Sequence, residues 1–187
     1  MTNTTPRFPH LPVESLSPEQ KVVYDKLVNG PRKGIRGPFG ALLRNPTLAD
    51  RVSQLGDSVR FESSLPDTIR EMMILMVARF FKARYEWHAH GMILKGLGFA
   101  DDKIEAIGRR QRPDGLTEDE TIVFDFVTEL LNDGEITDPT FDKAKSRFGE
   151  ITVLDILATA GYFGFVSMIL NAIRLQVPEG GMIMPED

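Results

Sequence analysis

Cysteine is absent from all 187 residues, which removes disulfides, thiolate metal sites and thiol nucleophiles together. Its absence says nothing about compartment, since oxidising and reducing environments both tolerate it. Basic charge is in the minority: 22 Lys and Arg against 27 Asp and Glu give a formal net charge of -5. The counterion release that drives binding to a phosphate backbone therefore has no concentrated source, and nucleic acid is not an expected partner. No Gly-x-Gly-x-x-Gly, Walker loop or Gly-x-Ser-x-Gly elbow occurs, which argues against nucleotide cofactors and a serine hydrolase. Residues 1–12 hold no apolar leader. The long apolar stretch 151–177 is interrupted by Asp155, Asn171 and Arg174, so it reads as a buried core helix and not a membrane span. These absences predict a cytoplasmic protein that does not enter membranes.

What is present is ordinary for a globular chain, with 42% hydrophobic and 26% charged residues. The length suits one domain over 1–187. Residues 1–15, rich in Thr and Pro, read as an extended N-terminal arm laid on a surface or on a neighbouring subunit. A helix follows, capped by Ser17, with Pro18 at its first position, Gln20 closing a capping box and Gly30-Pro31 stopping it. Four glycines and two prolines in 30–40 make a loop, which can reach over a pocket or merely connect. Leu48, Val52, Leu55 and Val59 mark an amphipathic helix ending near Ser63. The helix opened by Pro66 is apolar in nearly every direction and is therefore expected to be central. Helical patterns continue through Tyr85 to a Gly98 C-cap, over 100–110, from a Thr117 and Glu120 capping box, from Asp138-Pro139, and over 151–177. No alternating run of strand length stands out, so the predicted fold class is all-α.

The titratable groups are gathered unevenly. The stretch "ARYEWHAHG", 83–91, holds two of the three histidines and the single tryptophan. Glu71 stands in the most apolar helix with Ile74, Leu75 and Ala78 at its i+3, i+4 and i+7 positions, so it is expected to point inward. A buried carboxylate is costly unless paired or protonated, and burial raises its pKa toward the range useful for giving or taking a proton. It could equally form a plain salt bridge with Arg70, Arg79 or Arg84. Glu86 and His90 are four apart and share a helix face, where the carboxylate can orient the imidazole and raise its basicity. Such a pair can shuttle a proton or simply stabilise a helix. His88 lies about 200° around the helix from His90, so His-x-His makes a poor metal pair. The Glu-x-x-His spacing of di-iron bundles is also missing, and neither metal nor cofactor is expected. Tyr85 and Trp87 point in different directions, one of them toward core or a subunit interface.

The stretch 65–107, "LPDTIREMMILMVARFFKARYEWHAHGMILKGLGFADDKIEAI", resembles the carboxymuconolactone decarboxylase-like group, which includes the alkyl hydroperoxidase D proteins. In the hydroperoxidase branch a helix bearing a Glu is followed twelve residues later by Cys-x-x-Cys, and a His lies four beyond the second Cys. Laid on this chain, the Glu falls on Glu71, the cysteines on Ala83 and Glu86, and the His on His90. The spacing is kept and the sulfur is missing, which excludes thiol-dependent hydroperoxide reduction. Gly37-Pro38-Phe39, Leu65-Pro66 and Tyr85-Glu86-Trp87 before His90 stand instead in the order of the cysteine-free, decarboxylase-like branch. The resemblance implies an alkyl hydroperoxidase D-like helical bundle that assembles as a homotrimer or hexamer with its site near a subunit interface. It also implies a cofactor-independent lyase or isomerase that moves a proton on a small carboxylated lactone or related acidic oxygenated substrate. In those terms His90 would carry the proton, Glu86 or Glu71 would orient it and relay, and Arg79 or Arg84 would hold a substrate carboxylate. Tyr85 and Trp87 complete the candidate substrate-binding set. The alternative is a non-catalytic homo-oligomer that binds a small ligand on the same scaffold.

Overall fold

Capping chemistry decides where the chain begins its helices. In the computed structural model, which describes residues 5–186, the Ser17 hydroxyl accepts from the Gln20 N–H and the Gln20 side chain accepts from the Ser17 N–H at 2.9 Å, opening α1 (Pro18–Asn29). After the glycine-rich loop come α2 (Phe39–Leu42) and α3 (Pro46–Asp57), which Asn45 caps from its side chain. A π-helical turn, Ser58–Glu62, prolongs α3 to the Ser63 expected from the sequence. Then follow α4 (Asp67–Phe80), α5 (Arg84–Gly96), α6 (Asp101–Gly108), α7 (Glu118–Asp133) and α8 (Asp138–Ile173). The Thr117 and Glu120 capping box forms as expected at the start of α7. No strand occurs among the described residues, and the fold is all-α.

α4 is central because it has no polar face to offer water. Every residue from Ile69 to Arg79 is buried, and α5, α7 and α8 wall it in. A three-residue turn, 81–83, with Lys82 in the left-handed region at φ 54, ends α4 and folds α5 back along it. The polar residues that interrupt the apolar stretch of α8 act as latches. Asp155 Oδ2 accepts from the Ser64 N–H at 2.8 Å and from the Ser63 hydroxyl, and Asn171 Nδ2 donates to the Phe81 carbonyl at 2.7 Å. α8 is long and apolar enough to cross a membrane by length and composition, yet 56% of its most apolar window is buried inside the chain, as in a core helix.

Four expectations need correction. The face of α3 is rotated: Ala49, Val52, Gly56 and Val59 are buried, whereas Leu48 and Leu55 stay 40% and 50% exposed. A Cβ at position 56 would overlap the Arg32 guanidinium and the Tyr162 hydroxyl, so α3 approaches α8 through its small residues and its leucines turn outward. α8 stops at Ile173, short of Val177, because Arg174 takes the left-handed conformation, although the break expected between its two halves is present at Gly149 (φ 82). Its N-cap position belongs to Thr137, and Asp138 is the first helical residue. The arm is not extended throughout: Val13–Ser15 form a 3-10 turn, while the segment before it lies on the chain's own surface. There Arg7 donates to the Ile173 carbonyl and Arg44 to the Pro9 carbonyl. Residues 1–4 of the arm fall outside the described residues.

Candidate active site

The return of α5 along α4 brings together two groups that are 19 residues apart in the chain. His90 Nδ1 lies 2.6 Å from Glu71 Oε2, and His90 Nε2 lies 3.1 Å from Glu86 Oε2, one turn earlier on α5. All three side chains are buried. The first contact is a short hydrogen bond, so Glu71 is the nearer partner. The second is within ion-pair reach, but Glu86 Oε2 has no aligned donor. The Phe163 ring stands edge-on to the imidazole at 4.8 Å, filling the face that the carboxylates leave open.

The protonation state follows from this surround. Burial by itself pushes the His90 pKa down, but the hydrogen bonds and charges of Glu71 and Glu86 outweigh it and raise the pKa to about 9. At neutral pH the ring is therefore an imidazolium held between two carboxylates, its Nδ1–H donating to Glu71 and its Nε2 within ion-pair reach of Glu86. Among the described residues no group of three or more acids and histidines is arranged to hold a metal.

Glu86 and His90 open onto a cavity of about 410 Å³, whereas Glu71 lies behind them and does not line it. The size suits a small organic molecule. The loop 30–40 supplies one wall, and so it does more than connect. Gly37, at φ +58 in the left-handed region that favours glycine, turns this loop over α5 toward Tyr85 and Glu86. Arg32, from the same loop, and Arg60, from the π-helical turn, face the cavity together with Tyr162 and Phe163 of α8. Sequence reasoning missed these four. Their only advance signal was the density of breakers in 30–40, because π-helical register and the facing side of α8 have no local sequence mark.

The expected substrate-binding residues separate in space. Tyr85 lines the cavity. Trp87 does not: it is 1% exposed, in the core, with its indole N–H unpartnered. Arg79 is buried, donates to the Gly108 carbonyl and borders a different depression between α4 and α7, while Arg84 is exposed beside a third. Nor does either arginine pair with Glu71. Arg70 is the neighbour there, its Nε 3.9 Å from Glu71 Oε1, although its terminal nitrogen binds Asp67 at 2.8 Å. His88 stays out of the contacts among Glu71, His90 and Glu86, as its position on the helix requires, but it borders the same cavity, and its Nδ1 accepts from the Met182 N–H at 2.9 Å, tying down the C-terminal segment.

The arrangement of helices defines the class: the chain has the alkylhydroperoxidase D-like fold. Over 94% of its length it superposes on an uncharacterized peroxidase-related protein from Silicibacter sp. TM1040 (TM-score 0.74, 18% identity, 94% of that chain). It matches equally widely an alkylhydroperoxidase D core, also an uncharacterized peroxidase-related protein, from Ralstonia eutropha JMP134 (TM-score 0.76, 16% identity, 93% of that chain). A protein of unknown function from Agrobacterium tumefaciens, named as a candidate antioxidant-defence protein, matches over 76% of this chain and 99% of its own (TM-score 0.67, 16% identity). At these identities the likeness is one of fold. No family model and no curated protein matches the chain by sequence.

Proposed function

We propose that the protein is a cofactor-independent lyase or isomerase of the carboxymuconolactone decarboxylase-like kind, acting in the cytoplasm on a small carboxylated lactone or a related acidic, oxygenated molecule. The observation that carries this reading is the buried Glu71, His90 and Glu86 array opening on one side to a cavity of substrate size. In a decarboxylation the C–C bond breaks with its electron pair left on the ring as an enolate, and carbon dioxide departs. The enolate carbon then takes the proton from His90 Nε2, and the neutral imidazole is reprotonated from solvent past Glu86. Glu71 keeps the ring oriented and stabilises its cationic form from behind. The direct test is release of carbon dioxide, or isomerisation, across a panel of carboxylated γ-lactones. His90→Gln is expected to lower turnover by about 10²–10⁴-fold, the usual contribution of a positioned acid. Full activity in that variant would end the assignment.

The same reading includes self-association. Ile151, Leu154, Ala158, Gly161, Phe165, Met168 and Ala172 recur along α8 at alternating spacings of three and four, and all are exposed. Ile151 and Leu154 are 76% and 64% exposed and Met168 is 53% exposed, with Leu55 of α3 alongside. A stripe of this kind is the seam of a helix pair. In an antiparallel pair crossing at Gly161, the small Ala158 faces Phe165 of a second copy and Leu154 faces Met168, so the stripe complements itself about a two-fold axis. A hexamer made of two trimers could contain such a contact. Because the chain has no cysteine, Gly161→Cys reports it cleanly: oxidation is expected to give a disulfide-linked dimer, whereas Asp114→Cys, on an exposed loop, gives none. Leu154→Glu is expected to shift wild-type oligomer toward monomer in light scattering. A monomeric wild type would contradict the contact.

A further inference from the structure

The cavity carries more positive charge than proton transfer at His90 uses. Arg32 and Arg60 both face it, yet a single carboxylate, Asp57, serves them, 2.9 Å from Arg32 Nε. The Arg32 side chain is only 9% exposed, and its terminal nitrogen lies 3.5 Å from the Tyr162 hydroxyl. Arg60 has no carboxylate within ion-pair distance among the described residues. Its Nε is buried without a hydrogen-bond partner, and its guanidinium rests over the Phe61 ring at 5.0 Å. Burial, and then the charge of Arg32, pull its pKa below the ordinary arginine value, while Glu71 and Glu86 resist from across the site. An unpaired, partly desolvated guanidinium is costly to a fold. It is also placed by an uncommon device: the π-helical turn Ser58–Glu62 changes the register of α3 where Arg60 reaches the cavity.

We propose that Arg60, with Arg32 beside it, is the subsite that binds a carboxylate of the ligand. The Tyr162 hydroxyl borders this subsite, and Glu86 with His90 lines the same cavity. The proposal rests on the reading of this cavity as the substrate site, and it replaces Arg79 and Arg84, which border other depressions. An anion there answers the unmatched charge, and the planar fork of a guanidinium suits a carboxylate. Neutral isosteres are then rejected, because they leave Arg60 as it stands in the free protein.

The probes are 2-furoate, a five-membered oxygen ring bearing one carboxylate, and its neutral amide, 2-furamide, compared by calorimetry and thermal shift at fixed ionic strength. Furoate is expected to bind and raise the melting temperature, and furamide is not. Arg60→Gln is expected to weaken furoate binding by about tenfold or more, and Arg60→Lys by less, since a point charge replaces the fork. A purely structural arginine would destabilise the free protein when removed, whereas Arg60→Gln is expected to hold or raise its melting temperature. Furoate binding unchanged in Arg60→Gln, or equal binding of furoate and furamide, overturns the subsite even if His90 proves catalytic. Intact furoate binding in a protein that turns over no lactone leaves the subsite standing and removes the proton-transfer reading instead.

Discussion

Between pH 6.5 and pH 9.5 the protein is expected to lose about 3 kcal/mol of stability through one residue. His90 titrates near 6.5 in an unfolded chain and at about 9 in the fold. A group whose folded pKa is the higher one binds its proton more tightly in the folded state. Its contribution is therefore complete below pH 6.5, declines as pH rises through the interval and is gone above pH 9. At about 1.4 kcal/mol per unit of pKa, the whole shift corresponds to about 3–4 kcal/mol, most of which is lost inside this interval. The groups that create it are Glu71 of α4 and Glu86 of α5, with Phe163 of α8 keeping water from the ring. Urea unfolding at a series of pH values checks the expectation. Wild-type stability is expected to fall across the interval, and His90→Gln to be flat there, although less stable at pH 6.5 because two buried carboxylates lose the cation between them. Parallel curves for the two proteins would show that the imidazolium is not held as the geometry indicates.

Trp87→Ala is expected to cost about 3–5 kcal/mol, the range for emptying a buried aromatic site. The ring is 1% exposed and packs against Gly108 of α6, where an added Cβ would stand 3.1 Å from its Cη2. Trp87→Phe is expected to be far milder, about 1 kcal/mol, since it removes an indole N–H that has no partner while leaving most of the apolar volume filled. Neither substitution alters a wall of the cavity, so Trp87→Phe is expected to bind 2-furoate as the wild type does. Chemical denaturation and calorimetry measure the two effects separately. A loss of ligand binding without loss of stability would return Trp87 to the substrate site.

The contrast between Trp87 and Tyr85 shows where local reading stops. Both stand in one short motif, two residues apart, and helical spacing sends them in different directions. Which of them meets the cavity depends on where α4 lies relative to α5, and no pattern within α5 carries that information. The arginines behave in the same way. Arg79 and Arg84 are near the site in sequence and turn to other depressions, whereas Arg32 and Arg60 come from elements tens of residues away. Leu48 and Leu55 belong to a readable apolar spacing, yet Gly56 lets α3 approach Tyr162 so closely that a different face is buried.

Local chemistry was enough for the all-α class, the capped starts of α1 and α7, the central place of α4, the pairing of Glu86 with His90 and the inward aim of Glu71. Each depends on residues within about two helical turns of one another, where backbone geometry leaves little choice. The nearness of Glu71 to His90, the cation between two acids, the cavity and its guanidiniums were decided only when the helices packed. Such contacts join residues far apart along the chain, and close packing in the core, not hydrophobic period, selects which of the compatible faces meet.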